Sequence, residues 1–123
     1  MTERNRAPLE IDAEAMRRNA AAAARMLKTL ANDQRLRVLC LLVGGELSVG
    51  QINERIDLSQ SALSQHLAKL REEGLVETRR EAQTIYYSLA GGPVQQIIGT
   101  LYDIYNKPPA HKRLPINRKR QTR

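Results

Sequence analysis

The stretch LSQSALSQHLAKLR, residues 58–71, decides the fold of this chain of 123 residues. Leu63, Leu67 and Leu70 recur at intervals of four and three residues, which is the spacing of one buried helix face. The opposite face carries serine and glutamine, where an ordinary solvated helix carries lysine and glutamate. These neutral side chains both donate and accept hydrogen bonds, as contacts to base edges and phosphate oxygens require. The stretch predicts a helix that reads duplex DNA, and a solvated helix rich in Ser and Gln is the alternative.

The residues just before this stretch predict a second short helix that meets it at a tight turn. Ser48 is a suitable N-cap for a helix that runs to about Ile56, and Ser59 caps the helix that Gly74 ends. Residues 57–58 form the turn between the two. Two short helices joined in this way make a helix-turn-helix.

Further helices are predicted on both sides of this pair. Asp12 can cap a helix to about Ala31, and Asn32 or Asp33 can cap one to about Val43. The last helix opens at residues 91–93 and runs to about residue 106. Its apolar stripe is formed by Val94, Ile97, Ile98, Leu101 and Tyr105.

Between the DNA-reading helix and the last helix the pattern changes to that of β-strands. Ile85, Tyr87 and Leu89 alternate with polar residues, which predicts a hairpin with its tip near residues 81–83. Residues 46–47 form a short extended link further upstream. The fold class is therefore mainly α with a small β-hairpin, in the order helix, helix, short strand, helix, helix, strand, strand, helix.

The predicted hairpin brings two arginines next to small polar residues. Arg79 and Arg80 lie near Gln83 and Thr84, as in a wing that contacts phosphates or reaches a minor groove beside a recognition helix. Ordinary solvated strand charges are the alternative. The order of helix, turn, recognition helix and wing favours duplex DNA.

The net charge of +7 is concentrated at the C-terminus. Residues 107–123 contain seven basic side chains and no acidic one, which leaves 13 of each sign in residues 1–106. We predict a flexible N-terminus at 1–11, a folded DNA-binding and dimerisation domain at 12–107 and a basic disordered tail at 108–123.

The composition argues against several classes of protein. The one cysteine, Cys40, has no neighbouring base, and no Gly-rich loop with a lysine is present to hold a phosphate, so we predict neither an enzyme nor a cofactor. Four tyrosines without any Trp or Phe offer no platform for stacking single-stranded bases. No apolar run reaches the length of about 18 residues that a membrane span needs. We expect a soluble cytoplasmic protein without a membrane partner.

Four segments of the chain carry a resemblance to a known family. They read LANDQRLRVLCLL, ELSVGQI, LSQSALSQHLAKLREEGLV and TRREAQTIYYSL. These segments resemble the ArsR-type winged helix-turn-helix transcriptional regulators of bacteria, and the likeness extends over residues 20–106. Within the family the chain is most similar to the branch of NolR, HlyU and BigR, and AQTIYYS and LYDIY favour NolR.

The resemblance implies a homodimeric repressor that binds double-stranded promoter DNA. The first and last helices would form the dimer, and the two recognition helices would enter successive major grooves of an imperfect palindrome. Such a protein would be cytoplasmic and bound to the nucleoid. The candidate DNA-binding residues are Ser59, Gln60, Ser61, Ser64, Gln65, His66 and Lys69 on the recognition helix, and Arg79, Arg80, Gln83 and Thr84 on the wing.

Departures from family patterns bear on what the protein senses. Metal-sensing members place cysteines in the segment that here reads ELSVGQI, or Asp and His ligands in the last helix, and this chain has neither set. His66 and His111 lie far apart in sequence, so no metal site is predicted.

The single thiol leaves a redox alternative open. Regulators of the HlyU and BigR type pair a cysteine in the second helix with another near the end of the last helix, where this chain reads Tyr105-Asn106-Lys107. An intrachain bridge is excluded, and Cys40 is most simply a core residue. The first alternative is a thiol- or persulfide-responsive regulator that acts through Cys40 by sulfenic acid or an intersubunit bond. The second is a winged-helix module that binds a protein partner.

Overall fold

The computed structural model of the protein describes residues 10–106. Its elements follow the predicted order. They are α1 (Ala13–Leu30), α2 (Asp33–Val43), β1 (Leu47–Ser48), α3 (Val49–Arg55), α4 (Gln60–Glu72), β2 (Val76–Glu81), β3 (Thr84–Leu89) and α5 (Pro93–Asn106). The predicted flexible N-terminus lies outside the described residues up to residue 9, and the predicted tail at 108–123 and His111 lie outside them entirely.

The first four helices begin at side-chain caps. Each cap oxygen accepts a hydrogen bond from a backbone N–H that the helix itself leaves unpaired. Of the two candidates for α2, Asn32 is the cap and accepts from Arg35 N at 3.0 Å. Ser48 and Gln51 form a reciprocal capping box at α3. The four caps are Asp12 for α1, Asn32 for α2, Ser48 for α3 and Ser59 for α4.

The hairpin is part of a three-stranded antiparallel sheet with the order β1-β3-β2. Strands β2 and β3 pair from Val76–Leu89 to Glu81–Thr84, so the tip consists of Ala82 and Gln83. The extended link expected at 46–47 is strand β1, one residue further on, and it pairs with β3. The hairpin strand β3 therefore lies between β2 and β1, and β1 pairs with it at Tyr86 and Tyr87.

One hydrophobic core joins the helices to the inner side of the sheet. Leu63, Leu67 and Leu70 of α4 are at most 1% exposed, which confirms the predicted inner face of this helix. Burial of three leucines fixes the rotation of α4 about its axis. Turning the helix would expose these side chains to water, at a free-energy cost of about 1.5–3 kcal/mol for each leucine. The rest of this core is formed by Leu30, Val38, Leu39, Leu42, Leu47, Ile52, Ile56, Leu75, Val76, Val94 and Ile98.

The core of one chain leaves several apolar residues of α1 and α5 uncovered. Leu27 is 59% exposed, and Tyr105 of the predicted α5 stripe is 79% exposed. Val94 and Ile98 of that stripe are buried, whereas Ile97 and Leu101 are half-buried. Met16, Tyr102 and Ile104 are further exposed apolar side chains on these two helices. Within residues 10–106, no helix combines the length and apolar character needed to cross a membrane.

Candidate nucleic-acid interface

The outer face of α4 presents polar side chains to solvent. Gln60, Ser64 and Gln65 are exposed, and none of the three has a side-chain hydrogen-bond partner among residues 10–106. Ser59 and Ser61 are also exposed, but Ser59 Oγ accepts from Ala62 N at 3.1 Å as the helix cap. The outer face therefore has unpaired donors and acceptors on a helix that its leucines hold in a fixed orientation.

His66 and Lys69 lie at the side of α4 that faces the first two helices. His66 is half-buried, and its Nε2 is 3.1 Å from Gln34 Oε1 on α2. Lys69 is exposed, and its Nζ is 3.7 Å from Glu73 Oε2. Of the seven candidates at α4, the structure thus turns His66 toward a neighbouring helix and leaves Lys69 at the edge of the outer face.

A side chain that the sequence did not single out holds the turn before α4. Asn53 Nδ2 on α3 donates to the carbonyl oxygen of Leu58 at 2.9 Å. This bond ties α3 to the residue that precedes the cap Ser59. An amide side chain shortly before a tight turn is the signal that could have identified it.

Arg79 is held by acidic neighbours on one face of the sheet. Its Nε and Nη2 donate to Glu46 Oε2 and Oε1 at 2.9 and 2.7 Å, and its Nη1 donates to Glu81 Oε1 at 3.0 Å. The guanidinium carbon lies 4.6 Å from the ring centre of Tyr86. These hydrogen bonds raise the pKa of Arg79 and lower the pKa of Glu46. Glu46 and Tyr86 were not among the predicted site residues.

Arg80 lies on the opposite face of the same strand. Successive side chains of a strand alternate, so Arg80 shares a face with Val76 and Thr78. Tyr87, paired with Thr78 on that face, lines a cleft of about 500 Å³ with Ser64, Leu67 and Ala68 of α4. Arg80 is therefore on the side of the sheet that carries α4. It is exposed and has no ion-pair or hydrogen-bond partner among the described side chains.

Gln83 and Thr84 occupy the end of the hairpin. Gln83 is exposed in the tip, and Thr84 is exposed and pairs with Glu81 across the strands. The structure thus brings the four predicted wing residues to one end of the sheet, with Arg79 and Thr84 on one face and Arg80 on the other.

A second acidic group links α1 to the end of α4. Arg25 Nε and Nη2 lie 2.7 and 3.1 Å from the two carboxylate oxygens of Glu73. The Glu73 side chain is only 7% exposed, and the hydrogen bond from Arg25 lowers its pKa. Without the positive charges of Arg25 and Lys69, a carboxylate at the C-terminal end of a helix would be unfavourable, because the helix dipole is negative there.

Cys40 packs against the hydrophobic core. It is half-buried, and burial raises the pKa of its thiol, so the thiolate is disfavoured. Residues 10–106 contain no cluster of three or more His, Cys, Asp or Glu side chains that could hold a metal ion.

The family described as "Bacterial regulatory protein, arsR family" matches residues 32–78. The transcriptional activator HlyU of Vibrio cholerae is 50% identical over 99 residues, which are 80% of this chain and 90% of HlyU. The nodulation protein NolR of Rhizobium meliloti is 53% identical over 87 residues, which are 71% of each chain. The crystal structure of the repressor BigR from Xylella fastidiosa superposes with a TM-score of 0.72 at 42% identity, covering 77% of this chain and 97% of BigR.

These relatives confirm the resemblance and the fold. They are transcriptional regulators and not enzymes, in agreement with the prediction from the sequence. The matched regions include the helix-turn-helix, the sheet and the helices around them. The chain is a DNA-binding winged-helix transcriptional regulator that belongs to the bacterial ArsR family, in the branch that includes HlyU, NolR and BigR.

Proposed function

We propose that the protein is a homodimeric repressor that binds an imperfect palindrome in promoter DNA, with α4 in the major groove. The observation that carries this proposal is the outer face of α4, where Gln60, Ser64 and Gln65 have no partners within residues 10–106. Amide side chains can bind adenine with two hydrogen bonds, and serine can donate to or accept from several base edges. Repression follows when the bound dimer occupies the promoter, and the related BigR of Xylella fastidiosa is a transcriptional repressor.

The apolar residues left exposed on α1 and α5 support a dimer. Leu27, Tyr102, Ile104 and Tyr105 are between 50% and 79% exposed on these helices. A two-fold axis through both helices would bury them twice. The two α4 helices would then read half-sites about 34 Å apart, one turn of DNA.

The remaining parts of the chain have secondary tasks in this proposal. The segment 108–123, which lies outside the described residues, adds phosphate contacts that are sensitive to salt but carry no sequence information. The dimer acts in the bacterial cytoplasm, on the nucleoid.

Two alternatives have less support. A thiol switch at Cys40 would need a reactive thiolate, and burial of this side chain disfavours that form. A protein-binding role for α4 would need hydrophobic anchors on its outer face, and the exposed side chains there are polar or alanine.

The experiment that tests the proposal is selection of duplexes by the full-length protein from a random-sequence pool, followed by footprinting on the upstream region of its own gene. We expect an enriched inverted repeat with half-sites about one helical turn apart and protection of the same sequence. Failure to enrich any sequence over repeated rounds would refute sequence-specific binding, and enrichment of a single unrepeated half-site would refute the dimer.

A further inference from the structure

The two faces of the wing sheet differ in charge. The face that holds Arg79, here called the clamp face, also carries Glu46, Glu77 and Glu81, so it has three carboxylates and one guanidinium, and two of the carboxylates contact that guanidinium. The opposite face, here called the Arg80 face, has Arg80 as the one charged side chain of β2 and β3. A phosphate backbone is attracted to the second face and repelled by the first.

The contacts of Arg79 occupy three of its five N–H donors. Three of its guanidinium nitrogens donate to carboxylate oxygens, and the Tyr86 ring covers its plane. A phosphate would have to compete with two carboxylates, of which Glu46 already provides the bidentate geometry that the guanidinium favours. The two carboxylates come from different parts of the chain. Glu81 lies on the same strand as Arg79, whereas Glu46 precedes β1. The contact with Glu46 therefore joins the outer strand of the hairpin to the opposite edge of the sheet.

From this arrangement we propose that Arg79 is a positioning residue, which with Glu46 fixes the wing against β1, and that the wing meets the DNA backbone through Arg80. This inference rests on the proposed DNA-binding function and specifies which side of the wing faces the duplex. A wing fixed in this way keeps Arg80 on the same side as the outer face of α4, so both elements can contact one segment of DNA.

The test is the salt dependence of binding to the selected duplex, measured for full-length Arg79→Gln and Arg80→Gln. These substitutions remove the same charge at adjacent positions and are matched controls for each other. We expect Arg80→Gln to reduce the slope of log K against log salt by about 0.9, the value for one lost phosphate contact. Arg79→Gln should weaken binding without changing the slope. Equal loss of slope in both variants would overturn the proposal.

A second substitution, Glu46→Gln, changes DNA affinity in opposite directions depending on whether Arg79 contacts a phosphate or positions the wing. Glu46→Gln would release Arg79 and tighten binding if Arg79 were a phosphate contact. If Arg79 positions the wing, Glu46→Gln loosens the sheet and should weaken binding by about two- to fivefold, the range that a surface ion pair provides. Glu77→Gln is the control, because it removes a charge from the clamp face at a residue with no ion-pair partner among residues 10–106. An affinity of Glu46→Gln equal to or above that of the wild type would overturn the proposal.

Amide hydrogen exchange of the free protein tests the positioning role of Arg79 independently of DNA binding. The amides of β2 and β3 should exchange faster in Glu46→Gln and Arg79→Gln than in the wild type, but not in Glu77→Gln. Since this measurement uses no DNA, it remains decisive if the wild-type protein selects no duplex. Unchanged exchange in both Glu46→Gln and Arg79→Gln would overturn the proposal that Arg79 and Glu46 fix the wing, whatever the result with DNA.

Discussion

At the scale of single residues, Arg79 and Arg80 have different surroundings, because successive side chains of a strand point to opposite faces of the sheet. Arg79 and Arg80 have the same charge and adjacent positions, yet one is held by two carboxylates and the other is unpaired within the described chain. The sequence predicts both as DNA contacts because composition does not show the direction of a side chain. The partner Glu46 is 33 residues away from Arg79, beyond the reach of any local pattern.

The hairpin tip contains a residue whose backbone conformation suits glycine better. Ala82 has a φ of 57°, in the left-handed region that costs an L-residue about 1–2 kcal/mol. Because glycine also loses about 0.5–1 kcal/mol more backbone entropy on folding, we expect Ala82→Gly to stabilise the protein by roughly 0.5 kcal/mol. Denaturant unfolding would measure this change. Gln83→Gly is the matched control, and it should lower stability because Gln83 lacks a positive φ. A loss of stability in both Ala82→Gly and Gln83→Gly would contradict backbone strain at Ala82.

The thiol of Cys40 should be unreactive in the folded protein. Burial raises its pKa, so folding favours the protonated form. The stability that this provides is present below the pKa of the unfolded thiol and is lost as the pH rises through the higher folded value. We expect alkylation of Cys40 to be much slower in the native protein than in urea at pH 8, and peroxide to leave DNA affinity unchanged. A change in affinity that Cys40→Ser abolishes would instead establish the thiol switch.

At the scale of elements, the link between Arg25 and Glu73 couples the position of α1 to the end of α4. The hydrogen bond from Arg25 lowers the pKa of Glu73, so its stabilising effect is full above the ordinary glutamate pKa of about 4.3. This effect is lost as the pH falls through the lower folded value. We expect Glu73→Gln to be less stable than the wild type at pH 7 and the difference to shrink in acid.

Unfolding by denaturant between pH 3 and 7 tests this coupling. Glu72→Gln is the matched control, because Arg25 donates its hydrogen bonds to the carboxylate of Glu73 and not to that of Glu72. Arg25→Gln combined with Glu73→Gln should cost little more than either change alone, since both remove one interaction. Fully additive losses would show that the two side chains act independently.

The helices could be predicted from the sequence because their signals are local. The caps at Asp12, Ser48 and Ser59 and the leucine spacing of α4 all lie within a few residues of the feature they determine. The contacts that orient the site are of longer range. His66 meets Gln34 across 32 residues and Arg25 meets Glu73 across 48, so only the folded chain shows them.

At the scale of the whole molecule, the exposed apolar residues of α1 and α5 should lie between two copies. Replacing Leu27 by Glu removes a leucine from each side of a two-fold interface, and burial of one leucine contributes about 1.5–3 kcal/mol. We therefore expect the dissociation constant of the dimer to rise by at least about 100-fold. Sedimentation across a range of concentrations measures this change.

Val43→Glu is the control for the dimer interface. Val43 is 49% exposed at the end of α2, outside the two helices proposed to pair. Its substitution should leave the dimer intact. Dissociation by Val43→Glu and not by Leu27→Glu would place the interface elsewhere.

The central claim is that the outer face of α4 reads base pairs while its leucines only fix the helix. The most direct test is a comparison of wild type and Gln65→Ala across all single-base variants of the selected duplex. We predict that Gln65→Ala loses about 1–3 kcal/mol of discrimination at one base pair in each half-site and keeps it at the others. Gln95→Ala on α5 should leave the whole profile unchanged. A Gln65→Ala profile identical to that of the wild type, or one weakened equally at every base pair, would contradict base readout by this face.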